Sequence, residues 1–205
     1  EMIAACAKLM GNLDLIYAAR KIRVTARCNT TIGQDLTVDQ MFDRGFDAIF
    51  MGTGTAKPKK LQIPGGHLRG VRQAIYFLRR VSLYNEGNLD RNEVPVGNGD
   101  RVFVIGCGNT AMDAARSAVR LGAEKVTVVY HRTINDMSAL RSEYDEAVSE
   151  GVEFEWQSSI VDIHDDAGDI TDVVIECNGE RHEEDADVVI MAVGSQPASR
   201  IVSTT

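Results

Sequence analysis

Residues 102–105 form an apolar run with the composition of a strand, and it leads straight into a glycine-rich turn. A helix is expected from that turn to Leu121, with Gly122 placed to stop it, and a second apolar strand is expected over 126–130. Ser138 is positioned to cap a further helix through Ser149, which Gly151 would end. Val152, Phe154 and Trp156 alternate with polar residues and predict a third strand. Residues 160–163, 172–177 and 181–183 predict a small meander, its last turn marked by Asn178-Gly179. The acidic run Glu183-Glu184-Asp185 reads as its exposed edge, and residues 186–193 predict a buried strand ending at Gly194. Strand, helix, strand and strand again in this spacing are the pattern of βαβ units.

The pattern before residue 100 is less regular. Residues 1–21 are mostly helical in composition, with Met2, Ile3, Cys6 and Leu9 at helical spacing and a break at Gly11-Asn12. Residues 22–26 alternate like a strand and 29–33 turn. Thr37-Val38-Asp39-Gln40 is a capping box that opens a short helix ended by Gly45. Residues 46–54 predict a strand entering a glycine turn, a pattern repeated at 186–194, so two equivalent crossings between subdomains are expected. Residues 57–70 read as a Pro/Gly-rich connection whose Lys57, Lys59, Lys60 and Arg69 face solvent. Val71, Ala74, Ile75, Leu78 and Val81 lie on one face of a helix expected over 71–84, with Arg72, Arg79 and Arg80 turned toward water. Residues 85–100, rich in Asn and Gly, read as a linker, and a domain seam is expected there or near Gly70.

The turn after the first strand is Gly106-Cys107-Gly108-Asn109-Thr110-Ala111, a G-x-G-x-x-A sequence. In a strand–turn–helix setting its first glycine permits the tight turn and its second lets the backbone approach a pyrophosphate. Ala111 keeps the helix close to the strand, and the helix N-terminus offers unpaired N–H groups to phosphate. The end of the second strand selects the dinucleotide. An NAD site usually carries Asp or Glu there for the ribose hydroxyls. This chain carries Tyr130-His131-Arg132, with Glu124 before the strand and Asp136 well after it. The planar fork of Arg132 suits a 2′-phosphate, His131 adds charge when protonated, and Tyr130 adds a ring and a hydroxyl. NADPH is therefore the expected ligand.

Composition narrows the function further. The 205 residues are 44% hydrophobic, enough for one sizeable core with a small annex. A formal net charge of −8 disfavours nucleic acid or an anionic membrane as general partners. No apolar run is long enough to span a bilayer and no signal peptide is visible, so a cytoplasmic location is expected. Cys6, Cys28, Cys107 and Cys177 lack C-x-x-C spacing, which disfavours a metal site or redox disulfide within these residues. They read as small buried hydrophobes.

Four stretches taken in order, FDAIFMGTGTAKPKKLQIPG, GCGNTAMDAARSAVRLGAEKVTVVYHR, MSALRSEYDEAVSEGVEF and ADVVIMAVGSQP, resemble the glutamate synthase small (beta) subunit group. That group also includes the alpha subunit of NADH-dependent ferredoxin:NADP oxidoreductases and the reductase part of dihydropyrimidine dehydrogenase. The resemblance covers residues 29–197. It implies an α/β fold: a Rossmann-like NAD(P)-binding domain with a parallel sheet, βαβ units and a small meander, inserted in an FAD-binding domain. NADPH would pass a hydride to FAD, and electrons would leave through iron–sulfur clusters.

Carried over by position, Gly106, Gly108, Asn109 and Thr110 would sit at the pyrophosphate. His131 and Arg132 would sit at the 2′-phosphate, and Gly194 near the nicotinamide. The group typically has Arg-Arg after the tyrosine and Met-Pro-Ala further on, whereas this chain has His131-Arg132 and Met137-Ser138-Ala139. The resemblance divides the chain into a remnant of the first FAD-domain half at 1–70, an NADPH-binding domain at 71–193 and the return to the FAD domain at 194–205. The FAD glycine motif and cluster cysteines would precede Glu1, so the chain alone is expected to be inactive. A large amidotransferase subunit is an expected partner. The alternatives are a ferredoxin:NADP or sulfide-type oxidoreductase subunit, and a module that senses NADP(H) without turnover.

Overall fold

The computed structural model describes residues 25–196 apart from 53 and 56. The chain divides into two compact units, residues 1–53 and 54–205. The elements expected over 1–21, and most of the strand expected over 22–26, lie outside the described residues.

In the first unit, helix α1 (Val38–Asp43) starts from the expected capping box. The Thr37 hydroxyl accepts from the Gln40 N–H at 3.1 Å, and the Gln40 carboxamide accepts from the Thr37 N–H at 3.0 Å. Gly45 follows the helix with φ +88°. The strand expected over 46–54 does not form among the described residues. A strand needs a neighbour for its N–H and C=O groups, and these residues pair with none. Phe50 is 94% exposed.

The second unit is built on a five-stranded parallel sheet ordered β2-β9-β3-β4-β5: β2 (Val71–Gln73), β9 (Val188–Met191), β3 (Arg101–Ile105), β4 (Lys125–Tyr130) and β5 (Glu153–Trp156). Helices α2 (Ala74–Asn85), α3 (Asn109–Arg120) and α4 (Arg141–Ser149) provide the crossovers. The meander β6 (Ser158–Asp166), β7 (Asp169–Cys177) and β8 (Glu180–Asp185) is a separate antiparallel sheet. Asn178 and Gly179, at φ +52° and +85°, make its last turn as expected.

Alternation along the strands assigns the two faces. Val102, Val104, Val126, Val128, Val188 and Ile190 pack with Phe77, Met112, Ala115 and Ala118 on the helical side. Phe103, Ile105, Val129, Val189 and Met191 pack with Ile160, Ile163, Val173 and Ile175 of the meander. The meander thus covers the face that helices do not. Its border is tied by charge: Arg101 pairs with Asp185 and Asp187, and the Lys125 ammonium lies 2.9 Å from Glu184.

Several expectations need correction. Residues 71–73 are a strand, because their backbone pairs in parallel with β9 at the sheet edge, and the helix begins only at Ala74. Residues 85–100 are no loose linker: Val94 and Val96 are buried, and the Arg91 guanidinium donates to the Leu121 carbonyl at 2.9 Å. Glu184 is not an exposed edge residue but faces Lys125. The 57–70 connection keeps Lys57, Lys59, Lys60 and Arg69 exposed as expected, and Arg69 pairs with Asp169 of the meander at 3.0 Å. Gly65 passes so close that a Cβ there would meet the Ile163 carbonyl oxygen. Ser138 does not cap α4: Leu140 is the N-cap residue and no side chain of the cap serves it. The strand expected over 46–54 has no counterpart to the one observed at Val188–Met191 among the described residues, but the segments after the two stretches meet. Just beyond them, β1 (Lys57–Pro58) and β10 (Ser195–Gln196) pair antiparallel, and Lys59 N–H donates to the Gly194 carbonyl at 3.0 Å.

One buried polar group is left over. Thr127, paired with Phe103 across β3 and β4, is 1% exposed and its hydroxyl finds no partner among the described residues. An unsatisfied buried hydroxyl costs about 1–3 kcal/mol, and valine has the same shape without it. Thr127→Val should therefore raise the urea midpoint, by about 1 kcal/mol of stability at constant m-value. A lowered midpoint would mean that the hydroxyl has a partner.

Candidate functional site

The carboxyl ends of β3, β4 and β9 lie side by side, so three loops converge at one edge of the sheet. They bring Gly106, Cys107 and Gly108, then Tyr130 and His131, then Ala192, Val193 and Gly194 around a cavity of about 600 Å³. Leu61 and Ile63 from the connection, and Ser158, Ser159 and Ile160 at the start of β6, add its remaining walls.

The glycine turn is held by backbone bonds on both sides. Gly106 N–H donates to the Val129 carbonyl at 3.1 Å, and Ala192 N–H donates to the Ile105 carbonyl at 2.9 Å. Gly106 has φ +118°, and a Cβ there would stand 2.5 Å from the Ala192 carbonyl oxygen. Both the conformation and the space exclude a side chain. Gly108 is the N-cap residue of α3 and brings no side-chain cap. Its carbonyl accepts from the Ala111 and Met112 N–H groups at 2.8 and 3.2 Å. The N–H groups ahead of Ala111 have no intrahelical acceptor and stand at the positive end of the helix dipole.

Cys107 turns its side chain inward at 3% exposure, and burial pushes the thiol up to about 11. Its carbonyl points the other way. It accepts from the N–H groups of Ser138 and Ala139 at 3.2 and 3.1 Å and from the Ser138 hydroxyl at 3.3 Å. The Asn109 carboxamide oxygen accepts from Leu140 N–H at 2.8 Å, so the glycine turn and the 138–140 segment are braced together.

At the end of β4, the Tyr130 hydroxyl donates to the Asp136 carbonyl at 3.0 Å, and its ring meets Trp156 edge-on at 6.2 Å. The Asp136 carboxylate accepts from the Thr133 hydroxyl at 2.7 Å and the Thr133 N–H at 3.2 Å. Those bonds, and then the charges of Arg132 and His131, hold it below the usual carboxylate range. Arg132 is exposed and its guanidinium makes no hydrogen bond or ion pair with the described residues. Its carbonyl accepts from Gln157 N–H at 3.0 Å, and Gln157 adopts φ +57° to reach it.

Of the residues singled out from the sequence, Gly106, Gly108, Thr110, Tyr130, His131 and Gly194 line the common cavity. Three do not line it: Asn109 braces Leu140, Ala111 is fully buried against the sheet, and Arg132 follows the lining His131. The cavity also takes in Ser138, Ser158 and Ser159. The two consecutive serines directly after the third strand were the visible signal for the latter pair, and Ser138 was legible only as a helix cap.

A parallel sheet that feeds a G-x-G-x-x-A turn into a helix N-terminus defines a Rossmann-like α/β fold. The sequence matches the pyridine nucleotide-disulphide oxidoreductase family over residues 4–205, and the chain belongs to this family of FAD- and NAD(P)H-dependent oxidoreductases. It is 41% identical over 123 residues to the Escherichia coli (strain K12) protein YgfK, covering 60% of this chain and 11% of that protein. It is 33% identical over 184 residues to the glutamate synthase [NADPH] small chain of Halomonas elongata, covering 82% of this chain and 39% of that one. Among solved structures it resembles the thioredoxin reductase of Lactococcus lactis, with a TM-score of 0.57 and 25% identity over 73% of this chain and 45% of that one. The chain therefore spans less than half the length of these relatives. No helix among the described residues is long and apolar enough to cross a membrane.

The thiol at the centre of the glycine turn gives a direct test of the geometry. With its ionisation pushed to about 11, Cys107 stays neutral and shielded at pH 8. Iodoacetamide should therefore label the half-buried Cys28 and Cys177 well before Cys107, read by peptide mass spectrometry. The sign for stability follows. The folded state holds this proton more tightly than an unfolded thiol at 9.0, so stability should fall as pH rises above about 9 toward 11. Early labelling of Cys107 would contradict its burial.

Proposed function

We propose that this chain is the NADPH-binding part of a flavin oxidoreductase resembling the glutamate synthase small subunit, and that it presents NADPH for hydride transfer to FAD. The observation that carries this reading is the basic end of β4. Arg132 is unpaired among the described residues, next to His131 on the cavity wall, while the nearby carboxylate of Asp136 is engaged by Thr133. A 2′-phosphate supplies the partner that Arg132 lacks.

The residues fit such a cofactor. Gly106 leaves no room for a Cβ between the turn and Ala192, so backbone alone faces the cavity there. Gly108, Asn109 and Thr110 would bring N–H groups to the pyrophosphate at the start of α3. Tyr130 would border the adenosine end, and Gly194 would leave space at the nicotinamide side. When bound, NADPH would supply the hydride and FAD would be its acceptor, so these residues would need to provide no general acid, base or nucleophile. Their work is to orient the dinucleotide and to wall it with Leu61, Ile63 and Ile160 against water.

In this reading residues 71–193 form the NADPH-binding domain, and 1–70 and 194–205 belong to the flanking FAD-binding part. The pairing of Lys57–Pro58 with Ser195–Gln196 supports two neighbouring crossings. Iron–sulfur clusters and partner subunits, among them a large amidotransferase subunit, would belong to the whole protein. The Halomonas elongata relative is a glutamate synthase [NADPH] small chain, which supports the choice of dinucleotide.

The experiment is a titration of the chain and its Arg132→Ala variant with NADPH and with NADH. A charge-assisted hydrogen bond contributes about 1.5–3 kcal/mol, so the variant should lose roughly 10- to 100-fold in NADPH affinity and little for NADH. Equal losses for the two would sink the 2′-phosphate role.

A further inference from the structure

Ser138 carries a signature that the fold does not use in the expected way. It stands before a helix like a cap, yet α4 begins at Arg141 and its N-cap residue is Leu140. Instead Ser138 lines the same cavity as Gly106 and Gly108. Its hydroxyl oxygen lies 3.3 Å from the point where a Cβ of Gly108 would stand, so it occupies the space beside that bare Cα.

The hydroxyl's present partner is a weak one. The Cys107 carbonyl accepts two N–H bonds, from Ser138 at 3.2 Å and Ala139 at 3.1 Å, before it accepts the hydroxyl at 3.3 Å. A carbonyl has two lone pairs, so the hydroxyl is the third donor on a saturated acceptor, at a distance long for an O–H···O bond. A hydroxyl can rotate to a better acceptor without moving the backbone. The backbone itself is held, by Asn109 on Leu140 N–H at 2.8 Å and by Tyr130 on the Asp136 carbonyl at 3.0 Å.

We propose that Ser138 is a pyrophosphate-binding residue, whose hydroxyl donates to a diphosphate oxygen of a dinucleotide lying across the 106–108 turn. This rests on the dinucleotide reading above and adds a side-chain donor to what is otherwise a backbone cradle. The hydroxyl exchanges a crowded neutral acceptor for an anionic one, the stronger kind of hydrogen bond. Ser138→Ala deletes that donor and leaves both N–H bonds to Cys107 in place.

The test titrates the parent chain, Ser138→Ala and Ser138→Thr with NADPH and with adenosine 2′-monophosphate, which has no pyrophosphate. Ser138→Ala should lose about 10-fold in NADPH affinity, bind adenosine 2′-monophosphate as the parent does, and keep the parent's melting temperature. Ser138→Thr, which keeps the hydroxyl, should restore most of the NADPH affinity. Parent-like NADPH binding by Ser138→Ala would overturn the assignment, and so would an equal loss for both ligands, which marks a displaced loop. A parent chain that binds neither ligand would overturn the dinucleotide reading itself, a result distinct from either.

Discussion

The close passage of Gly106 beneath the Ala192 carbonyl is the constraint on which the rest of the site depends. A Cβ would stand 2.5 Å from that oxygen where real Cβ contacts keep more than about 3 Å, so any other residue at the turn would force it away from the loop that follows β9. Because β3 and β9 lie side by side, the loops after the two strands leave the sheet together. Because β4 flanks β3 on the other side, its Tyr130-His131-Arg132 end joins them. Gly106, at φ +118°, lets the first of these loops pass close against the third. Its backbone conformation is a property of the site as much as of the turn.

The second requirement is that the sheet be covered on both faces, as parallel sheets must be. Helices cover one face, packing small residues such as Ala111, Ala114, Ala115 and Ala118 close to β3 and β4. The meander covers the other and shapes the site as well, since Ser158, Ser159 and Ile160 are at once the start of β6 and part of the cavity wall. The link is Gln157, which takes up a left-handed backbone between β5 and β6 and donates its N–H to the Arg132 carbonyl. A break between two strands thus holds the loop that carries the basic pair.

Much of this was legible in the sequence, for identifiable reasons. The strands β3, β4 and β9, helix α3 and the Asn178-Gly179 turn were readable because their signals are local: apolar runs, glycine stops and a turn that needs positive φ. The glycine turn and the basic strand end were readable as a pattern of residue types at fixed spacing. What escaped depends on distant partners. Val71, Arg72 and Gln73 are a strand only because β9 offers them an edge. Glu184 faces inward only because Lys125 lies opposite. The apolar 46–54 stretch looked like a strand by composition alone, and composition does not supply a neighbour. Ser138 looked like a cap because a serine before a helix usually is one, while its hydroxyl is placed by contact with Cys107, 31 positions away in sequence.

The proposed 2′-phosphate role turns on how charge is distributed over the chain. The chain as a whole carries −8, which opposes the approach of any phosphorylated ligand at long range. Attraction must come from cations that are local and uncommitted, and many arginines among the described residues are committed. Arg116 is shared among Glu143, Glu146 and Glu150, Arg120 is held by Glu150, Arg101 by Asp185 and Asp187, and Arg141 by Asp145. Each of these joins one element to another or stabilises a helix, and withdrawing one to serve a ligand would leave a carboxylate without its partner. Arg132 makes no hydrogen bond or ion pair among the described residues; its charge does act on the nearby Asp136 carboxylate, whose direct hydrogen bonds come from Thr133. Arg132 is thus an exposed cation, without an ion pair among the described residues, at the end of the strand that flanks β3, and the proposed 2′-phosphate role rests on that placement.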